Sequence, residues 1–268
     1  MRIELVLLIS LITSLTRPIE LQVHSLNIPN MKSPTYISLV SICLILAVSF
    51  GTGCSSTPDL AKSGAESESY YIPTGVRDGD GNTYRTVQIG NQVWMAENLR
   101  TSVFANGEKI PFSFSESDWT NSENRAMWCI YENDLKHEKA HGGLYNFLAV
   151  ADQRGLCPNG WHVPSNAEWD LLSTSLGGES VAGDKLKSSN GWGSIDAGNN
   201  SSGFSGMPSG FRNHYHGRFY GLGSSGGWWS STSDKEEAWY RYLFSGDANL
   251  NRDNFDQRDG FSVRCIKD

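Results

Sequence analysis

One short stretch, Gly155-Leu156-Cys157-Pro158-Asn159-Gly160-Trp161-His162-Val163-Pro164-Ser165-Asn166-Ala167-Glu168-Trp169, concentrates Cys, His, Asn and Glu. These residue types carry nucleophilic and acid–base chemistry. Each also has a structural task within the stretch. Cys157 can cross-link, and Pro158-Asn159-Gly160 is turn chemistry. Trp161-His162-Val163 is a short extended run, with His162 expected as a hydrogen-bonded core residue. Ser165 and Glu168 form an S-x-x-E capping box that starts a helix. The stretch is expected to hold the domain together rather than to catalyse.

Other spacings invite chemistry and then withhold it. Asp78, Asp80 and Asn82 have the opening spacing of a calcium loop, but the twelfth position is Ile89 where a bidentate Glu is required. A turn is expected there. His137 and His141 are four apart, the separation of a metal pair on a helix, but Gly142-Gly143 follows at once and no third ligand is evident, so a solvated loop is expected. Gly221-Leu222-Gly223-Ser224-Ser225-Gly226 fits the dinucleotide fingerprint, and Gly223 to Gly227 fits the nucleophile elbow. Both need a following helix, whereas Trp228-Trp229-Ser230-Ser231-Thr232 reads as strand. Asp234, Glu236 and Glu237 read as solvated surface. No catalytic set, metal site or cofactor is expected.

The better candidate is a binding surface. Tyr215, Phe219, Tyr220, Trp228 and Trp229 lie in glycine-rich sequence, where flat rings could stack on sugars or anchor a protein. A loop-rich domain must also fill its interior with large side chains, and for Trp228 and Trp229 the core is the favoured place.

The elements that would position these residues are short. The chain has 268 residues, with 28 Gly, and all nine Trp lie at or after Trp94. A formal charge of −7 without a Lys/Arg cluster argues against nucleic acid. Tyr84 to Ile89 alternates at the strand period, and Gly90-Asn91 supplies a hairpin turn into Gln92-Val93-Trp94. Ala126 to Tyr131 reads as a compact strand, and Leu144 to Asp152 as a short buried helix. The helix after Pro164 places Trp169, Leu172 and Leu176 on one face and ends at Gly177-Gly178. Ala182 to Lys187 adds a short helical turn. Gly260 to Ile266 is a final strand in which Phe261, Val263 and Cys265 alternate with Ser262 and Arg264.

Ahead of the domain, Met31-Lys32 opens an apolar run that reaches Gly51-Thr52-Gly53-Cys54, the pattern of an export signal. Cys after small residues resembles a bacterial lipoprotein signal, although Gly51 stands where such signals usually carry an aliphatic residue. Residues 31–54 are therefore expected to be a lipoprotein signal with Cys54 lipidated, and residues 1–30 an over-extended start. Residues 55–72 form a polar tether and residues 73–268 the domain. Of five cysteines, Cys129, Cys157 and Cys265 would remain in an oxidising compartment, enough for one disulfide and one thiol. Three pairings are open. Cys157–Cys265 is the one expected, because it ties the helix start to the last strand, leaving Cys129 buried and free.

A family resemblance covers most of residues 73–268. Asp78-Gly79-Asp80-Gly81-Asn82-Thr83-Tyr84, Gly90 to Leu99, Gly143-Leu144-Tyr145-Asn146 and Cys157 to Ser165 run in order with Ala182 to Lys187 and Ser202-Gly203-Phe204-Ser205. Trp228-Trp229-Ser230-Ser231-Thr232 and Ser262-Val263-Arg264-Cys265 complete the series. Together they resemble the Fibrobacter succinogenes major paralogous domain, a family of exported bacterial proteins often found on lipoproteins. The resemblance implies an α+β, C-type-lectin-like, loop-rich domain of short twisted antiparallel strands, with terminal strands paired and two short helices. That superfamily includes formylglycine-generating enzymes. The calcium-site tripeptides of sugar-binding lectins and the cysteine pair of those enzymes are absent from the sequence.

The expected function is a lipid-anchored, non-catalytic binding module of the outer membrane or cell surface. Its expected partners are a polysaccharide or an envelope protein, with the membrane reached through the anchor. An oxidase-like enzyme using Cys129 and a purely structural envelope component stay open.

Overall fold

The structure is a computed structural model and describes residues 70–122, 124–193 and 197–268. The expected signal with Cys54, the residues before it and most of the tether lie outside the described residues.

The chain enters as an antiparallel meander of β1 (Tyr70–Arg77), β2 (Thr83–Ile89) and β3 (Gln92–Met95). Asp78 builds the first turn. Its Oδ1 accepts the backbone N–H groups of Asp80 and Asn82 at 3.0 and 2.9 Å, and its Oδ2 accepts the Tyr84 hydroxyl at 2.5 Å. A carboxylate so committed to its own turn has little left for a cation. Gly90-Asn91 closes the second hairpin, with Gly90 at φ +58°.

The middle of the chain is irregular. Single-turn helices α1 (Glu116–Thr120), α2 (Glu138–His141) and α3 (Phe147–Val150) alternate with β4 (Trp128–Cys129) and β5 (Leu144–Tyr145). The strand expected over Ala126 to Tyr131 is thus confined to a two-residue ladder with β5. The expected helix over Leu144 to Asp152 is cut short because Leu144 and Tyr145 pair as strand. Asn146 then caps α3, its side chain accepting from Ala149 N–H.

β6 (Trp161–His162) leads into α4 (Asn166–Ser175), whose capping box is formed: Ser165 receives Glu168 N–H while Glu168 receives Ser165 N–H. Trp169, Leu172 and Leu176 are buried on one face, as the spacing predicts. α5 (Glu179–Leu186) follows and is longer than the expected turn. Among the described residues these two are the α-helices of eight residues or more.

β7 (Ser209–Arg212), β8 (Phe219–Leu222), β9 (Ser225–Asp234), β10 (Glu237–Phe244) and β11 (Asn251–Asp256) form a second sheet in the order β11-β10-β9-β7-β8. The first sheet runs β1-β2-β3-β12-β6, where β12 is Ile266–Lys267. The fold is α+β. The expected pairing of terminal strands is corrected. β1 is the outer strand of the meander, so the strand left open to receive β12 is β3, at Ile266↔Trp94.

The last strand is also shorter than the sequence suggests. Residues 260–265 instead thread between the sheets, with bridges Arg212↔Gly260, Tyr145↔Phe261 and Trp228↔Ser262. Met95 N–H reaches Cys265 O and Leu99 N–H reaches Val263 O. Cys157 and Cys265 are joined in a disulfide with Cα atoms 6.0 Å apart, and Cys129 is free and buried.

Two apolar cores flank this thread. One gathers Tyr145, Trp229, Tyr240 and Phe261, and the other Trp94, Trp169, Phe204 and Trp228 beneath α4 and α5. Arg264 is fully buried beside the second. Its guanidinium donates to Asn98 Oδ1, Met95 O and Phe204 O and lies 4.1 Å from the Phe204 ring. Burial lowers its pKa to about 9, yet the carbonyl cradle satisfies a side chain made only of donors.

Candidate functional site

The register of the second sheet sorts its aromatic residues by face. β10 alternates Tyr240, Tyr242 and Phe244 with Trp239, Arg241 and Leu243, and Arg241 and Leu243 are fully buried on the helix side. On the opposite side Tyr242 pairs across from Gly227 and Phe244 from Ser225. Gly227 has to be glycine: a Cβ there would lie 2.7 Å from the Phe261 ring. Phe261 takes the place of that side chain, and beside it Gly210, Gly226 and Gly227 line a cleft whose walls include Phe211, Tyr240, Tyr242, Phe244 and Phe255. Its concavity is about 340 Å³, of which about 60 Å³ is open to water-sized groups. It is therefore a shallow trough suited to flat groups, not a chamber.

The rings form a continuous row from core to surface. Phe261 stacks on Tyr240 at 4.5 Å, Tyr240 on Tyr242 at 5.1 Å, and Tyr242 meets Phe244 edge-on at 5.3 Å. Phe211 extends the row sideways to Tyr220 at 5.7 Å. Phe261 is buried while Phe244 is 47% and Tyr220 42% exposed. Burial first, then Asp253 and Asp247, raises the Tyr242 pKa, so its phenol stays protonated. Among the described residues the Tyr240 and Tyr242 hydroxyls make no hydrogen bond, which leaves them available as donors and acceptors.

The sequence candidates are distributed rather than gathered. Tyr220 does not line the trough but packs against its Phe211. Phe219, one residue earlier, points to the other side of the β7–β8 hairpin, against Tyr131 and the Arg212 guanidinium at 5.1 and 4.6 Å. Tyr215 is 75% exposed at the tip of the loop between β7 and β8. Asp259 holds that loop by accepting both His214 N–H at 2.8 Å and the His214 ring at 3.1 Å, and burial raises the Asp259 carboxyl to about 6. Trp228 and Trp229 are corrected as surface candidates. Both are fully buried, with indole N–H groups given to Asn98 Oδ1 and Tyr145 O. Each is large enough to fill one of the two cores, which is what a sheet packed on both faces demands.

The sequence candidates omitted every aromatic residue that lines the trough: Phe211, Tyr240, Tyr242, Phe244, Phe255 and Phe261. The signal was the period-two run Tyr240, Tyr242, Phe244 lying opposite a glycine pair. It becomes visible only when β9 and β10 are placed in register.

The remaining chemical candidates resolve as structure. His162 is partly exposed, not a core residue, because it bridges two carboxylates: Nε2 lies 2.8 Å from Glu168 and Nδ1 2.7 Å from Asp268. His137 and His141 sit on helical turns, not in a loop, with rings 5.5 Å apart. Among the described residues no group of three His, Cys, Asp or Glu could hold a metal ion. Gly221 to Gly226 forms the end of β8 and its turn into β9, with no helix following. Burial pushes the Cys129 thiol up to about 11, against the opposing pull of Arg212.

A family model, the Fibrobacter succinogenes major domain, matches residues 87–267, more than half of the chain. No curated protein and no solved structure matches the chain. The match spans the meander from β2 onward, the capped helix, the aromatic sheet and the closing thread, and the chain belongs to the Fibrobacter succinogenes major domain family.

Proposed function

We propose that the domain is a non-catalytic binding module that takes a polysaccharide chain on the aromatic trough of its second sheet. The observation that carries this reading is the row Tyr240, Tyr242 and Phe244 over a glycine floor. Flat rings with apolar faces and free hydroxyls suit the faces and edges of sugar rings. The state of Cys129, buried and held as the thiol, supports binding over oxidase chemistry, because the thiolate is the nucleophile.

The same reading includes export by a lipoprotein signal at residues 31–54, a lipid anchor at Cys54 and a place on the cell envelope. It also includes a C-type-lectin-like architecture. This is supported by β1 and β12 lying in one sheet and by the two longer helices.

Depletion of the full-length protein from solution by insoluble cellulose, chitin, xylan and peptidoglycan tests the binding reading. Retention on at least one, reduced tenfold or more by Tyr242→Ala, is expected. Equal retention of wild type and Tyr242→Ala, or retention on none, removes it.

A further inference from the structure

A second concavity shares no lining residue with the aromatic trough. It is walled by Ser188, Ser189 and Asn190 on one side and by Asn200, Ser205 and Met207 on another, with Ala140 at its edge. About 360 Å³ of it is open to water-sized groups, several times the corresponding space in the trough. Pockets that hold small molecules run from about 300 to 1,000 Å³.

Its walls are held in place at a conformational cost. Asn200 and Ser205 both adopt left-handed backbone, at φ +50° and +55°. Asn tolerates this region, but Ser is seldom found there. A reciprocal clamp fixes the pair: Asn200 Oδ1 accepts Ser205 N–H at 2.8 Å, and Asn200 Nδ2 donates to Ser205 Oγ at 3.0 Å. Strained backbone of this kind gathers at ligand clamps and active sites. The floor is rigid as well. Asn98 Oδ1 is taken by Arg264 and Trp228, and its Nδ2 donates to His141 O, Ser209 Oγ and Ser262 Oγ.

The charges facing the cleft cancel locally. Arg85 Nε lies 2.5 Å from Glu97 Oε1, and Arg85 N–H donates to Glu97 Oε2 at 2.7 Å. Beyond that pair every side chain of the lining is uncharged. The side chains of Ser189 and Asn190 are exposed and make no hydrogen bond among the described residues. Hydroxyls and amides both donate and accept, which matches alcohol groups, and the Met207 thioether and Ala140 add an apolar contact. We infer that this cleft is a second binding site, separate from the trough, for a neutral, hydroxyl-rich molecule of the size of one sugar or cyclitol ring.

Saturation-transfer NMR on the full-length chain with glucose, galactose, N-acetylglucosamine and myo-inositol tests the inference, with glucuronate and glucosamine as charged controls. Saturable transfer to at least one neutral ring, exceeding that to the charged rings, is expected. Asn190→Ala combined with Ser189→Ala should weaken it tenfold or more, and Ala140→Trp, which plugs the cleft from its exposed edge, should abolish it. Tyr242→Ala in the trough should leave it unchanged. Because the two cleft variants come from separate segments of the chain, loss of folding in one leaves the other decisive, and thermal midpoints identify such a loss. No saturable neutral ligand, a preference for a charged ring, or binding that survives Ala140→Trp and disappears in Tyr242→Ala would each overturn the inference.

Discussion

The carboxamide of Asn98 accepts the guanidinium of Arg264 at 2.6 Å from Nη2 and 3.2 Å from Nε, and both residues are buried. They lie 166 positions apart in the sequence. Asn98 thereby couples the exit of the first sheet to the thread that closes the domain. Replacing Asn98 with Ala removes the acceptor of Nε and Nη2 of a buried cation and leaves the Trp228 indole N–H without its partner. A loss of about 3 kcal/mol or more is expected, given that hydrogen bonds to charged groups contribute about 1.5–3 kcal/mol each. Urea unfolding at constant m-value measures it. Arg264→Lys should not restore stability, because an ammonium cannot reproduce the planar fork that reaches Asn98, Met95 and Phe204 at once. A lysine variant as stable as wild type would refute this account of the hub.

The Cys157–Cys265 bond closes a loop with a sequence separation of 108. In the chain-entropy model a loop of that length contributes about 4–5 kcal/mol. Cys157→Ser should lower the thermal midpoint strongly, and dithiothreitol should produce the same midpoint in wild type. A midpoint unmoved by either treatment would show that the thread holds without its covalent tie.

The His162 ring between Glu168 and Asp268 makes stability depend on pH. Burial opposes its charge, but the hydrogen bonds to Asp268 and Glu168 outweigh that cost and raise its pKa. A histidine whose native value is raised binds its proton more tightly in the folded state. Its contribution is therefore complete below the ordinary value of about 6.5 and is lost as pH rises through the higher native value. The thermal midpoint should fall across that window, and His162→Gln should flatten the fall. An identical slope in the variant would assign the dependence to another group.

Cys129 should resist thiol reagents in the native state. It is fully buried and its pKa is pushed up to about 11. Labelling with a chromogenic disulfide is expected to rise on unfolding, giving one equivalent more in denaturant than without it. Rapid stoichiometric labelling of the folded protein would reopen the oxidase reading.

The legible parts of the fold were those set by neighbours in sequence. The Gly90-Asn91 hairpin and the Ser165–Glu168 capping box each depend on a few adjacent residues, and both stand as read. Arg264 shows where that logic stops. In Phe261 to Cys265 the period-two pattern places Ser262 and Arg264 on a polar face, which in a two-layer fold means solvent. The segment instead runs between two sheets and is buried on every side, so the polar face is met by Asn98 and by backbone carbonyls. The candidate site was not legible for a related reason. Tyr220, which packs against its Phe211, could be named from its glycine-rich setting, but Tyr242 and Phe244 come to line the trough only through the register of β10 on β9. Nothing in the local sequence tells Phe219 from Tyr220. The side of the hairpin each one takes decides which is packed and which is presented.

The thread at residues 259–267 has one further consequence. It pairs with β3, β5, β6, β7 and β9, so each sheet is completed by a piece synthesised after nearly everything it touches. Without this piece β3 and β6 lack the strand that joins them, and the core lacks Phe261, Val263 and Cys265, so closure waits for residues 259–267. Contacts this distant in sequence also make folding slow. The two sheets therefore lock together only when that segment is in place.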